Sequence, residues 1–579
     1  MKFTEVAFAF LAINETNSRL KITETLSDLL KKTTSSEAQI ISYLSLGSLR
    51  PPYQKMQFNL AEKSINKVIA KLLGMEVEEL EKEIHKTGDV AVILQKSNLP
   101  ILEDLTVTQV YERLVHIESI SGAGSAEEKQ NELYKLLKDV GSLNASYIAA
   151  IILDQLRLGF SDMTLIDSFS WMLVGSKKIR SQIEDAYNVC ADIGLIAYTL
   201  KESNIEGIKH FEPKLGIPIR PAAAERLPSA TAIIEKIGTC IAQPKLDGFR
   251  LQVHIDNKSK TQKIWFFSRN LLDMSEMFPD LKEALSHVDV DNIILEGEAI
   301  AYDEHSDRFV PFQETVKRKR KHEVEEVAAE LPLKFFGFDL LYLNGKSTLN
   351  LTHEQRRNEL IKIFKNYKDP RVAVVEEMKI NTAKELENYF LKNIEAGLEG
   401  LVVKKPDSIY QPGKRNFNWI KLKKHEKSHL EDTIDAVVLG YYYGKGKRAS
   451  FGIGAFLVGV YDKQNDRFQT VAKVGTGLKD NEWKELKEKC DHNKMDHKPK
   501  NVDCAPELEP DVWVDPKIVV VVRADEITQS PSHTAGRMDH NLGYALRFPR
   551  FVNYSPDKSP EQATTVHELI ELYQLQRKS

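Results

Sequence analysis

The chain of 579 residues has four cysteines, Cys190, Cys240, Cys490 and Cys504, and no two stand in a CxxC spacing. A disulfide framework and a four-cysteine zinc site are therefore not expected. No apolar run approaches the roughly 18 residues that a transmembrane helix needs. The opening Met1-Lys2-Phe3-Thr4-Glu5 carries an acid and lacks the basic-then-apolar pattern of a secretory signal. A cytoplasmic protein with no membrane contact is expected. No GxxxxGKS or GxxxxGKT occurs, so phosphate-loop nucleotide chemistry is not expected. Excess positive charge is missing too: 80 Lys and Arg face 84 Asp and Glu, a net charge of −4. That weighs against nucleic-acid binding through bulk charge, but a local cationic face is enough for DNA. Internal repeats and low-complexity segments are absent.

What is present is the composition of a globular protein, 42% hydrophobic and 28% charged. Single cores rarely grow past roughly 250–300 residues, so several domains are expected. Residues 1–215 read as helical. One helix is predicted from Asn144 as N-cap through Ala145 to Leu158, with Gly159 as its stop and Ile148, Ile151, Ile152 and Leu156 on its core face. Gly216-Ile217-Pro218-Ile219-Arg220-Pro221 then suits a linker or entry strand. Over 216–427 short strands alternate with helices. From 428 to 579 strands and turns dominate, among them Val437–Gly444, Ala455–Tyr461 and Ile518–Val522, as in a small β-barrel such as an OB-fold. Two basic clusters stand out, Lys317-Arg318-Lys319-Arg320-Lys321 and Lys421, Lys423 and Lys424. Either is a DNA-facing patch or a solvated face.

The sharpest local signal is Gln243-Pro244-Lys245-Leu246-Asp247-Gly248-Phe249-Arg250. Cys240-Ile241-Ala242 leads in as an apolar strand, and Asp247-Gly248 is a turn signal. Phe249, Leu251, Val253 and Ile255 then alternate with Arg250, Gln252 and His254, which predicts a strand with its polar face outward. Lys245 is thus presented at a tight turn. A lysine amine must be neutral to act as a nucleophile, which requires burial or nearby cations. Pro244 has no N–H, so this strand end is expected to be unpaired. Further on, alternation puts Glu296 and Glu298 on one strand face, either a catalytic face or an exposed one. It also aligns Trp419, Lys421 and Lys423, where two cations can bracket a phosphate.

The octet resembles the nucleotide-binding motif of the covalent nucleotidyltransferases, which include DNA ligases, RNA ligases and mRNA capping enzymes. Further motifs of that superfamily follow in order: Phe267-Ser268-Arg269-Asn270, Ile294–Ile300, Phe336–Gly345, Glu399–Lys404, Lys414–Lys423 and Ala545–Phe551, ahead of Asp557-Lys558. The N-terminal third resembles the archaeal and eukaryotic replicative DNA ligases through Ser119–Ser125 and Leu156-Arg157-Leu158-Gly159-Phe160. Glu526–Gly536 and Pro560–Thr565 resemble the ligase OB domain. The match begins at the first residues, without the long extra N-terminal region of eukaryotic nuclear ligases, and fits an archaeal-type enzyme better.

The resemblance implies a helical DNA-binding domain over 1–215 that grips the minor groove, an α+β adenylation domain over 216–427 and an OB-fold domain over 428–579. It implies that Lys245 carries AMP taken from ATP. Gln243 accepts from the adenine amine; relatives often carry Glu there, and the extra amide donor loosens strict ATP preference. Phe338 stacks on adenine, while Arg250, Arg269 and Arg415 contact nucleotide or phosphate. Lys421 and Lys423 bracket the α-phosphate. Glu298 and Glu399 hold Mg²⁺, with Mn²⁺ as the alternative. Arg547, Arg550 and Lys558 orient the leaving pyrophosphate. The substrate implied is nicked double-stranded DNA, taken by a monomer, with a hinge near 424–430. A sliding clamp is a further candidate partner, because Gln95-Lys96-Ser97-Asn98-Leu99 lies where relatives carry a glutamine-led clamp loop, though it lacks the aromatic pair. A capping enzyme or RNA ligase leaves the helical third unexplained. An NAD-dependent ligase is disfavoured by the missing cysteine zinc site. A non-catalytic DNA clamp has no use for the lysine, acid and arginine set.

Overall fold

The computed structural model describes residues 1–579 apart from 17, 88, 157, 228, 304–307, 311–314, 316–317, 319–323, 397, 424–432, 445, 538–541, 557 and 579. Arg157, Lys424, Asp557, the candidate hinge and four members of the basic run, Lys317, Lys319, Arg320 and Lys321, lie outside the described residues. Contacts divide the chain into two compact units, 1–61 with 100–144 and 151–425, and 62–99 with 145–150 and 426–579. Among the described residues no helix is long and apolar enough to cross a membrane.

The helical part of the first unit starts with Phe3–Asn14, whose Phe3, Val6, Ala7 and Phe10 recur at helical spacing and are buried. Capping boxes start Ser35–Leu44, with Thr34 and Glu37, and Val107–Ser119, with Thr106 and Gln109. Asp192 caps Ile193–Ile208 through the Leu195 N–H at 2.9 Å. It also accepts from the hydroxyls of Tyr43 at 2.6 Å and Tyr53 at 2.7 Å. The helix predicted from Asn144 instead spans Ser142–Ile152. Asn144 sits inside it and donates to Val140 O at 2.9 Å and Thr4 Oγ1 at 2.8 Å. The chain leaves that helix at Ile152, six residues before the predicted end at Leu158, through a turn in which Asp154 takes φ 54°.

Two sheets follow in the same unit. One orders Ala223–Arg226, Arg415–Lys423, Gly400–Lys404, Cys240–Pro244 and Met378–Ile380. The other orders Lys263–Ser268, Phe249–Asp256, Asn292–Asp303, Leu333–Leu343 and Lys346–Ser347, with Arg308–Phe309 and Val372–Val374 pairing beside this path. The first packs Leu401, Val403 and Ile420 on residues of Ala230–Ile237 and Ala383–Glu395; the second packs its apolar face on Pro279–Leu285. Ile219, Ile294, Leu341, Tyr410 and Trp419 form a small core between the two sheets.

Two expectations are corrected here. Gln252 and His254 are buried, because the linker covers their face: Ile219 N–H donates to Gln252 Oε1 at 2.7 Å and Gly216 N–H to His254 Nδ1 at 3.1 Å. Pro244 is paired, opposite Leu401. Alternate residues of an antiparallel strand turn their N–H groups to opposite edges, and the other neighbour begins only at Met378, opposite Ala242. The missing N–H therefore leaves no gap in the ladder.

In the second unit, Ile434–Tyr442, Ala455–Asp462 and Arg467–Val474 form a meander. Val519–Arg523 returns beside Ile434–Tyr442, and Arg550–Tyr554 pairs with Val519–Arg523. Phe551 N–H donates to Thr476 O at 2.9 Å, which closes the circuit to the end of the third strand. This is the barrel expected from the strand-rich end. Closure depends on Gly477, at φ 102°, where a Cβ would meet Phe551 O at 2.3 Å. The barrel is filled by residues such as Val438, Phe456, Val471, Trp483 and Phe551.

Candidate active site

A cavity of about 250 Å³ opens between the two sheets. Lys245 reaches it from the end of Cys240–Pro244, its backbone N–H held by Gly400 O at 2.9 Å. Its ammonium pairs with Glu399, whose Oε2 also receives Lys423 Nζ at 2.9 Å. Those two cations outweigh burial and hold the Glu399 carboxyl below the usual carboxylate range. Asp247 lies beside them in the turn. Burial and the Glu399 charge push its carboxyl up to about 6. Glu298 faces the same space and accepts from Gly248 N–H at 3.2 Å. Its burial pushes the carboxyl up to about 7. Three carboxyl groups thus crowd one side of Lys245.

The opposite impression holds along Arg415–Lys423. Lys421 and Lys423 line the cavity with Trp419, as alternation predicts, and Arg269 and Arg415 join them. Burial and the charges of Arg415, Lys423, Arg269 and Lys245 lower the Lys421 pKa. A cationic wall of this kind suits phosphate.

Arg250 is a half-buried wall of the cavity. Its guanidinium donates to Ala222 O at 2.8 Å and to Glu296 at 2.8 Å. Tyr410 Oη donates to the same carboxylate at 2.8 Å, so Glu296 is buried and bonded, not the solvated acid of an exposed strand. The guanidinium lies 5.5 Å from the Phe338 ring centre and 5.4 Å from that of Trp419. Those two rings meet edge to face at 6.0 Å. Gln243 is buried on the Lys245 side of the cavity and donates to Glu377 Oε2 at 3.0 Å.

The cavity thus gathers Gln243, Lys245, Arg250, Arg269, Glu298, Phe338, Arg415, Lys421 and Lys423, with Glu399 tied to two of them. Arg547, Arg550 and Lys558 belong to the second unit. There they are exposed and pair with Glu526 at 2.7 Å, Asp525 at 3.1 Å and Asp435 at 2.5 Å.

Comparison with known proteins names this arrangement. Residues 2–170 match the DNA ligase N terminus, 221–423 the ATP dependent DNA ligase domain and 449–558 the ATP dependent DNA ligase C terminal region. A probable DNA ligase of Dictyoglomus turgidum is 42% identical over all of this chain and 98% of its own length. The chain belongs to the ATP-dependent DNA ligase family. A DNA ligase of Sulfolobus acidocaldarius is 37% identical over 99% of this ligase and 98% of its own length. The solved structure Pmar-Lig_PreS3 shares the fold with a TM-score of 0.55 at 16% identity, covering 95% of this ligase and 99% of that chain.

Three groups of the ligase site escaped the sequence reading. Lys404 lines the cavity, buried, 4.2 Å from the Trp419 ring centre and 5.0 Å from that of Phe338. Burial lowers its pKa to about 8, against the pull of Asp339. Its signal was available: it follows Val402 by two on a strand whose intervening residue, Val403, is core. Asp339 stood inside the quoted run Phe336–Gly345 but was given no role, and Glu377 and Arg356 had no signal, because their partners are remote in sequence. Arg318, from the basic run, is fully buried and bonded to Asp280 at 2.6 Å and 3.0 Å, which rules it out as a DNA contact.

Proposed function

We propose that this ligase seals nicks in double-stranded DNA through an AMP–lysine intermediate on Lys245. The observation that carries the reading is the position of Lys245 in the cavity, between crowded carboxyl groups and a wall of four cations, Arg269, Arg415, Lys421 and Lys423. The ammonium must leave Glu399 and shed its proton before it can attack. The amine then forms an N–P bond to the α-phosphorus of ATP as the P–O bond to pyrophosphate breaks. Lys421, Lys423 and Arg415 stand where negative charge develops. Phe338, Trp419 and Val402 offer an apolar slot for the base. Next, a 5′-phosphate oxygen at the nick attacks the same phosphorus and releases the lysine. Last, the 3′-hydroxyl attacks the activated 5′-phosphate and expels AMP. Arg547, Arg550 and Lys558 are assigned to the leaving pyrophosphate.

Among the described residues no group of three or more His, Cys, Asp and Glu forms a metal cage. A Mg²⁺ site needs only one or two carboxylates with phosphate oxygens and water. Burial raises the carboxyls of Glu298 and Asp247, the Glu399 charge adds to the rise at Asp247, and all three groups are oxygen donors facing one space. They fit Mg²⁺, or Mn²⁺, with Glu298 and Glu399 as ligands. When bound, such an ion neutralises phosphate charge.

The reading takes 1–215, 216–427 and 428–579 as domains for DNA binding, adenylation and the mobile OB-fold, in a cytoplasmic monomer. Gln95–Leu99, at the end of the helix Val90–Lys96, is the candidate sliding-clamp contact, tested by retention on immobilised clamp. The decisive test uses α-labelled ATP and Mg²⁺ with wild type and Lys245→Ala. Label should survive denaturation on wild type only and discharge as nicked duplex is sealed. Label that nicked DNA cannot discharge points to RNA ends, and no label on AMP-free protein refutes the mechanism.

A further inference from the structure

The loosened base preference expected from Gln243 depends on which way its amide faces, and a second residue decides that. Met378 pairs with Ala242 across neighbouring antiparallel strands, so Glu377 falls opposite Gln243. Gln243 Nε2 donates to Glu377 Oε2 at 3.0 Å. The same carboxylate oxygen lies 3.3 Å from Arg357 Nε and 3.5 Å from His353 Nε2, both on the helix His353–Phe364. Burial pushes Glu377 up, but His353, Arg357 and Gln243 outweigh it and keep the carboxyl below its usual range. An ionised carboxylate only accepts. Turning the Gln243 amide over would set two oxygens against each other in a buried site.

We infer that Glu377 is a positioning residue that locks the Gln243 amide with its carbonyl oxygen toward the nucleotide, and so makes this ligase select adenine over guanine. The inference rests on the reading of the cavity as the ATP site. Gln243 precedes Lys245 by two along an extended chain, so the two side chains share a face roughly 7 Å apart. Among the described residues Gln243 Oε1 accepts no hydrogen bond, which leaves it for the base. Adenine offers an exocyclic amine, a donor. Guanine offers a carbonyl at the equivalent position, and two acceptors then face each other without a proton between them. A buried polar group left unpaired is a stronger discriminator than shape.

The test compares covalent labelling by α-labelled ATP and α-labelled GTP, each with Mg²⁺, on the full-length protein. Wild type should take ATP far more readily. Glu377→Gln keeps the size but can donate or accept, so Gln243 can adopt either orientation. The ATP-over-GTP ratio should fall by about tenfold or more, with KM for ATP rising and kcat changing less. The swap Gln243→Glu with Glu377→Gln again leaves only an acceptor toward the base, and the ratio should recover. General damage to the fold would not be rescued that way. A wild type indifferent to the base overturns the inference. So does an unchanged ratio in Glu377→Gln, or a swap that stays unselective. A wild type that takes no label from ATP refutes the nucleotide reading itself.

Discussion

Replacing Asp339 by Asn should destabilise the adenylation region more than any surface change, because it removes an anion held between two buried cations. Arg356 grips Asp339 with two donors, Nε at 2.6 Å and Nη2 at 3.2 Å, and Lys404 Nζ stands 3.5 Å away. All three side chains are at most 1% exposed. Burial alone would raise the Asp339 pKa, but Arg356 and Lys404 hold it far below the usual range. Removing one partner of a buried pair costs about 3–5 kcal/mol, since the remaining charge keeps its desolvation penalty. With a urea dependence of about 2 kcal/mol per molar, the midpoint should fall by roughly 2 M. Urea unfolding followed by tryptophan fluorescence measures this, with Trp419 beside Lys404 as one reporter. The loss should shrink at higher pH. The Lys404 amine titrates at about 8 in the fold against about 10.4 in the unfolded chain, so the unfolded state binds more protons in that window and raising pH favours folding. In the variant that window opens lower and the gain is larger. Adding Arg356→Met should recover much of the loss, short of what its bonds to Leu351 O and Ser408 O contribute. A loss below about 1 kcal/mol at pH 7 would refute the reasoning, because a buried pair cannot be broken that cheaply.

Arg318→Met should cost about 3 kcal/mol and lower the melting temperature, through the stranded Asp280 carboxylate; a solvated basic run predicts no change. Gly248→Ala should slow AMP loading at least about tenfold while the chain stays folded, since a Cβ there would stand 2.4 Å from Ala299 O and shift the turn that follows Lys245. Single-turnover labelling reads it, and a wild-type rate contradicts it. Acid should weaken the fold through His254, whose burial lowers its pKa to about 3. Its contribution is fully present above the unfolded value near 6.5 and is lost by about 1.4 kcal/mol per pH unit as pH falls toward 3. Urea midpoints at pH 6.5 and 5 should differ accordingly, and His254→Gln should flatten the difference.

The sequence carried the site where neighbours in sequence are neighbours in space. Lys245 was legible because an apolar strand and a turn flank it, and Lys421 and Lys423 because period-two alternation fixes a shared face. Alternation says which residues share a face but not what covers it. Gln252 and His254 therefore read as solvent-facing, while a linker some thirty residues upstream buries them. Glu377 lies 134 residues from Gln243, and nothing local marks it. Arg318 looked like its basic neighbours, and only the remote Asp280 distinguishes it. The helix around Asn144 was misplaced because an asparagine that bonds back to Val140 O mimics a cap in one dimension.

The strand that leads into Lys245, Cys240–Pro244, lies between Gly400–Lys404 and Met378–Ile380. Both neighbours leave the ribosome long after it, the farther roughly 160 residues later. At about 5–20 residues per second, that is on the order of 10–30 s during which an apolar strand has two bare edges. Pro244 then takes on a protective role, because a strand that ends on a residue without an N–H is a poor template for a neighbouring nascent chain. Lys245, whose N–H is held by Gly400 O, can take its final place only after Gly400 has been made.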